Sequence, residues 1–486
     1  MSENVALPGA GSIKSESVNA SRQVPEFKLS GVFSSHMVLQ RRRPIRIWGF
    51  SSREGQTVEG NFGGEKTAAK VNRNRFDLIF APREASDSPV SLEIRDSFGH
   101  CVKLEDILIG DVWLMGGQSN MELNLAPCAA YAGEPEFSEE APFRLFMQTQ
   151  AYSAARKDLQ NEPQADVINE DWRWQKPGRE ASMRFSAIGW YVAEELARKT
   201  GVPIGAINIS AGGACLRELM PAELAHRLNY FSGANVPEAG YFNTLISPFC
   251  GLQVYGQIFF QGESEGIWRD MAERYARELA MTVSDERQRF GSNFPFYNVQ
   301  ISDYRSEGKQ YFQFLEIVRL SQFEALSVIP DSCLTVSMDL GSPEGYPDFA
   351  HSPRKKQLSA RISALILARE YGIGSEEDAR SPEPYEAVLL KDRRTVRVRF
   401  SFVSGGLRTL SGSAEVAGFS FGGFDSRTAA NARITGPAEV EVTVPEGVSA
   451  AAVNYAFASR ITPDNADLIK EGGLPCPAFS LQVCTE

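Results

Sequence analysis

The chain has 486 residues, 43% hydrophobic and 23% charged, the balance of a soluble folded protein of roughly two to four domains at about 100–200 residues each. That composition argues against long disorder, a collagen-like repeat or a coiled coil for its bulk. Lys+Arg 50 against Asp+Glu 61 gives a net charge of −11, which opposes capture of nucleic acid or of an anionic membrane, and no window approaches the about 18 consecutive apolar residues of a membrane span.

Residues 1–26 are polar and rich in Ser, Asn and Gly, and are expected to form a disordered lead-in. They carry no basic n-region and no apolar h-region, so the sequence as it stands reads as cytoplasmic, and as exported if a signal segment lies outside it. Over 27–105, the runs FKLSGVFSSHMVLQ, PIRIWGF, QTVEGNF, RFDLIFAP and VSLEIRDS are rich in β-branched and aromatic residues and punctuated by turn formers. They predict a small β domain of sandwich type.

From 106 to 380 the strand-like runs ILIGDVWLMG, VPIGAINIS, VYGQIFF, FPFYNVQIS and CLTVSMDLG alternate with helical patterns. Phe185, Ile188, Val192 and Leu196 form one apolar stripe; Trp268, Met271, Tyr275 and Leu279 a second; Leu358, Ile362, Leu365 and Ile366 a third. This alternation predicts an α/β domain with a parallel sheet covered on both faces. For the last helix, Ser352 suits the N-cap, Pro353 the first position and Gly372 the end. Residues 121–180 are weakly periodic and read as irregular. From 381 to 486, EAVLLKD, TVRVRFSF, AEVAGFSFGG, AEVEVTVPE and AAAVNYAF predict a second β region.

Seven cysteines with no CxxC pair, and only four histidines, point to neither a disulfide framework nor a metal centre. No cofactor is expected. The chemistry is sought instead where apolar strands end. Gly116-Gly117-Gln118-Ser119-Asn120 follows one such strand directly, a place where glycines allow a tight turn and a serine can be presented to substrate; an ordinary strand–helix turn has the same composition. A serine needs a base. Of His36, His100, His226 and His351, only His351 sits between a predicted strand end and the last helix, in Asp348-Phe349-Ala350-His351. A carboxylate three residues before an imidazole can fold back and take its Nδ1–H; a surface turn with incidental charges is the alternative. Ser210-Ala211-Gly212-Gly213 and Gln261-Gly262-Glu263-Ser264 end two further strands and offer backbone and amide donors for an oxyanion.

GGQSNM (116–121), SAGGA (210–214), FFQGES (259–264) and DFAH (348–351) resemble the motif blocks of SGNH-type carbohydrate acetylesterases. The chain from about 27 to 482 is similar to the sialate O-acetylesterase family, in GVFSSHMVLQRRRPIRIWGF, RFSAIGWYVAEELARKTGVPIGAINIS, YFNTLISPF and VNYAFASRITPDNADLIKEGGLPCPAFS. The resemblance implies a flavodoxin-like, three-layer α/β/α SGNH hydrolase domain flanked by β-sandwich-like regions, and hydrolysis of acetyl esters on sugars without metal or cofactor. It implies Ser119 as nucleophile, His351 as base and Asp348 as orienter, with Glu263 as rival acid or buried brace. Gly212, Gly213, Gln261 and the Ser119 N–H are implied as the oxyanion hole. Arg217, standing where the family has a different block ending, can face a carboxylated sugar or be a solvated helix-start residue; Asn243 is a second candidate for substrate binding. The implied partner is an O-acetylated sugar or glycan, with no nucleic acid and no membrane; oligomeric state is open. The competing readings are an acetylxylan esterase or other ester hydrolase, and a non-catalytic glycan-binding protein.

Overall fold

The computed structural model describes residues 24–148, 158–228, 239–304 and 312–485. The expected lead-in lies outside the described residues except for its last three. Strands β1 (Lys28–Leu29), β2 (Val38–Gln40), β3 (Ile45–Phe50), β4 (Thr57–Phe62), β5 (Glu65–Lys70), β6 (Arg75–Phe80), β7 (Ser86–Asp96) and β8 (Cys101–Gly117) form the N-terminal region. β1, β3 and β6 make one antiparallel sheet, while β5, β4 and β7 lead antiparallel into β8.

β8 changes character along its length. From Cys101 to Asp106 exposed and half-buried positions alternate, as in a sheet with one wet face; from Ile107 to Gly117 every residue is buried. Its first part pairs mainly with β7, its second with three parallel neighbours, one of them β2. The expected boundary at 105/106 therefore falls inside one continuous strand, and both regions share one hydrophobic core.

The central sheet runs β10 (Arg173–Gln175), β9 (Phe143–Met147), β11 (Ile204–Asn208), β8, β12 (Gly256–Phe260), β13 (Phe296–Gln300) and β14 (Ser332–Val336). All of these pairings are parallel except β10 with β9. The fold class is α/β. Its main helices are α1 (Ser119–Glu122), α2 (Ala187–Thr200), α3 (Arg269–Phe290), α4 (Leu315–Val328) and α5 (Lys355–Tyr371). α2 packs on α5 and on β11, α3 packs on α4, and α4 packs on β13 and β14. The three predicted apolar stripes fall on α2, α3 and α5, except that Phe185 lies before α2 and Trp268, which is exposed, lies just before α3; all three helices end at a left-handed glycine. α5 begins two residues later than expected: Arg354 is its cap residue, and Ser352 Oγ accepts the Arg354 N–H at 3.3 Å in the preceding turn.

The sequence reading missed β5, β9 and β10, and beyond residue 381 the strands Leu407–Thr409, Ala432–Gly436, Leu468–Lys470 and Phe479–Gln482 among others. In β9, FRLFM has no β-branched residue to signal a strand, and its buried Arg144 breaks the apolar run. Arg144 is accommodated because it donates to the carbonyls of Ala141 and Phe143 and pairs with Asp106. Beyond residue 381, a six-stranded and a four-stranded sheet share a second core that includes Val398, Val440, Phe421, Tyr455 and Phe479. This unit is fastened to α4 by Arg319, whose buried guanidinium donates to the carbonyls of Ile301, Ser302, Ala458 and Ser459. Among the described residues no helix is long and apolar enough to cross a membrane.

Candidate active site

The site is built at the carboxyl ends of the parallel strands, where an open α/β sheet leaves its crevice. Gly117 closes β8 at φ +125°, and a Cβ there would lie 2.1 Å from the carbonyl oxygen of Phe260 on β12. Only glycine permits that approach. The Gln118 N–H donates to the same carbonyl at 3.0 Å. The Gln118 side-chain oxygen then accepts from Gln261 Nε2 and from the backbone N–H groups of Gly262 and Ser264 at 3.2–3.3 Å. The loops after β8 and β12 are thus locked together, and Ser119 emerges half-buried at the start of α1.

Ser119 lines a cavity of about 500 Å³ together with Glu122, Gly212, Gly213, Glu263 and His351, and with an aromatic wall of Tyr304 and Phe312. Residues far apart in sequence therefore meet in one cavity. His351 Nδ1 lies 2.9 Å from Asp348 Oδ2, and Asp348 Oδ1 accepts the backbone N–H groups of Ala350 and His351, each at 3.0 Å. A carboxylate only accepts, so Nδ1 carries the proton and Nε2 is left basic. Burial pushes the Asp348 carboxyl up, but the hydrogen bond and charge of His351 with the two backbone donors outweigh it and hold it below its ordinary value. An Asp–His pair is not by itself distinctive here. His36 with Asp106 and His100 with Asp96 make the same Nδ1 contact at 2.7 Å, far from any described serine motif. What sets His351 apart is the cavity it shares with Ser119.

Glu263 is bonded otherwise. Its Oε1 accepts from Asn120 Nδ2 at 2.6 Å, and its buried Oε2 has no partner among the described residues. Burial raises its pKa despite Asn120, Lys355 and His351 nearby. Asn120 also donates to the Ala350 carbonyl at 3.2 Å and accepts from Lys355 Nζ at 2.7 Å. Lys355 is buried at the start of α5, and burial pulls its pKa down to about 8. The chain Lys355–Asn120–Glu263, with the Asn120 bond to Ala350, thus ties the Ser119 turn to the histidine loop.

Other expected contributors lie elsewhere. Gln261 is fully buried and outside the cavity wall: its amide donates to Gln118 Oε1, to the Ala214 carbonyl and to Glu265, so its protons are engaged inside the protein. Gly212 and Gly213 do border the cavity. The Gly212 N–H donates to Glu122 Oε2, whereas the Gly213 N–H has no partner among the described residues. Arg217 sits on the one-turn helix Leu216–Leu219, away from the cavity wall, and Asn243 is buried with its amide on the Gln160 carbonyl.

The family described as carbohydrate esterase, sialic acid-specific acetylesterase matches residues 109–359, just over half of the chain. The chain belongs to this family. The matched segment contains Ser119, Gly212, Gly213, Glu263, Asp348 and His351. Curated relatives include the sialate O-acetylesterase of Homo sapiens, 23% identical over 389 residues covering 71% of both chains. That of Mus musculus is 24% identical over 412 residues, covering 71% of this chain and 74% of the relative. A carbohydrate acetylesterase of Xanthomonas citri, of known crystal structure, is 25% identical with a TM-score of 0.76, covering 94% of this chain and 99% of that one. The protein is a carboxylic ester hydrolase of the carbohydrate acetylesterase kind.

The sequence reading of this esterase missed Gln118, Asn120, Glu122 and Lys355 as parts of the site. The first two stood inside the quoted serine motif, so the signal was present: polar side chains beside a strand-end serine have to be hydrogen-bonded once the loops close over them. Glu122 and Lys355 gave no such sign, because a helix surface carries the same residue types.

Proposed function

We propose that the protein removes O-acetyl groups from sugars by serine-centred acyl transfer on a flavodoxin-like, three-layer SGNH hydrolase domain, with the β unit from residue 381 as a separate domain. Ser119 Oγ attacks the acetyl carbonyl while His351 Nε2 takes its proton, and Asp348 stabilises the imidazolium. The N–H groups of Ser119, Gly213 and Gly212 receive the oxyanion. His351 then protonates the leaving sugar hydroxyl, and a water deprotonated by the same nitrogen releases acetate. The observation that carries this reading is the cavity lined both by Ser119 and by an imidazole already bonded through Nδ1 to a carboxylate. Asp348 is taken as the orienting acid because it makes that bond; Glu263 bonds Asn120 instead. Gln261 is taken as a brace of the loops rather than an oxyanion donor. The family and the names of its curated relatives support O-acetylated sialic acid as the substrate class. The test is acetate release from O-acetylated sialic acid and from acetylated xylan, side by side, with Ser119→Ala as control. Release from the sialic acid that vanishes in the variant is expected; release by Ser119→Ala at the wild-type rate refutes the mechanism.

A further inference from the structure

Two carboxyl side chains of the cavity, Glu122 and Glu263, are not used by the reaction just described; Glu263 is held by Asn120, and Glu122 bonds the proposed oxyanion hole itself. Glu122 closes α1, three residues beyond Ser119, and lines the same cavity. Its Oε2 accepts the N–H of Gly212, a donor that the tetrahedral oxyanion would need. One N–H cannot serve a carboxylate and an oxyanion at once, and two negative oxygens on one donor repel each other. The carboxylate must therefore leave Gly212 before that donor can stabilise the reaction. A sugar hydroxyl is a good donor to a carboxylate, and such charge-assisted bonds are the stronger ones.

Resting on the acyl-transfer reading above, we infer that Glu122 gates the oxyanion hole: it caps Gly212 in the empty enzyme and is drawn off by a hydroxyl of the bound sugar. Binding of a hydroxylated substrate then completes the hole, while a bare ester such as p-nitrophenyl acetate has to displace the carboxylate unaided. The gate makes Glu122 a specificity-determining residue for polyhydroxylated acetyl esters. Its surroundings suit that task. The titratable groups that share the cavity with it are His351, from the loop before α5, Glu263, from the loop after β12, and Tyr304, with Asp348 bonded to His351. Burial raises the Glu122 pKa to about 7, opposed by the Gly212 hydrogen bond and by His351, so the carboxyl is neither firmly charged nor firmly neutral near pH 7.

The test compares wild type, Glu122→Ala and Glu122→Gln on p-nitrophenyl acetate and on whichever O-acetylated sugar the wild type hydrolyses faster, across pH 5.5–9 (about the range of the group). Removing the gate should raise kcat/KM on p-nitrophenyl acetate several-fold above pH 7. It should also raise KM for the sugar ester about ten- to a hundredfold, the loss of one hydrogen bond to a charged group. In Glu122→Gln, which keeps the shape without the charge, the alkaline fall of the wild-type rate on p-nitrophenyl acetate should disappear. Unchanged pH profiles in both variants overturn the gate, as does equal loss of both activities in both variants, which marks a plain brace. Ser119→Ala runs alongside: if it retains activity, the acyl-transfer reading itself fails, whereas Ser119-dependent activity with an unchanged substrate ratio removes the gate alone.

Discussion

Replacing Asp348 by Asn tests the proposed acid at the atom where it acts. The carboxylate holds three donors: the His351 Nδ1–H at 2.9 Å on one oxygen, and the N–H groups of Ala350 and His351 at 3.0 Å on the other. An asparagine has one oxygen. If that oxygen stays on the two backbone donors, the NH₂ faces Nδ1, which must then accept, and the imidazole proton moves to Nε2. That is the nitrogen that has to take the proton of Ser119. A wrong tautomer in a Ser-His-Asp arrangement is worth about 10⁴ in kcat. The Asp348 side chain is 44% exposed, so solvent softens the charge loss, and the expected drop is about 10²–10⁴, or roughly 3–5 kcal/mol of barrier. Glu263→Gln is the paired control: Gln keeps an oxygen for Asn120 Nδ2, and the expected loss is under about tenfold. The assay is steady-state hydrolysis of p-nitrophenyl acetate by both variants, with circular dichroism to verify folding. A folded Asp348→Asn enzyme within threefold of wild type, alongside a Glu263→Gln enzyme reduced about a thousandfold, would reverse the assignment.

Gly117→Ala places a methyl 2.1 Å from the Phe260 carbonyl at a left-handed backbone position, so a loss of about 2–4 kcal/mol and of most activity is expected by thermal melting and turnover; an unchanged melting temperature contradicts the close packing of β8 on β12. Arg319→Met strands four carbonyls at the junction with the C-terminal unit, and a loss of about 3–5 kcal/mol with new protease cleavage near residue 380 is expected; intact resistance to protease refutes its role as the fastening. Glu286 on α3 is buried, and that burial raises its pKa to about 8, so the folded chain holds a proton there that the unfolded chain releases from about pH 4.5 upward. Its unfavourable contribution therefore grows as pH rises from about 4.5 to 8, and the melting temperature of Glu286→Gln should gain on wild type over that window; a gap that stays flat with pH shows that the carboxyl is not paying a burial cost.

The parts of the fold that could be read from sequence are those whose signal is local. The second part of β8, with β11, β12, β13 and β14, consists of short apolar runs that are almost wholly buried, and α2, α3 and α5 carry apolar stripes closed by glycine, so pattern and environment agree. β9 was illegible because Arg144 is buried by partners that only the fold brings to it. In the site, Ser119 and His351 stood out as strand-end residues of reactive types. The amide of Gln261 misled, since its availability depends on Gln118, Ala214 and Glu265, none of which is predictable as its partner from spacing. The choice between Asp348 and Glu263 was likewise open in sequence: Asp348 is a local neighbour of His351 by spacing, whereas Glu263 comes near the histidine loop only after the strands are assembled.

β8 has a consequence for how this enzyme can be rearranged. A unit whose proposed nucleophile follows directly on a strand begun in the preceding sheet cannot be excised at residue 106 without cutting through its own middle rib. Grafts, fusions and recombination events that transplant the chemistry must carry the material from about residue 28 along with it, and the far β unit is bound in as well, because its core takes in Val336 at the end of β14 and Met338 just after it.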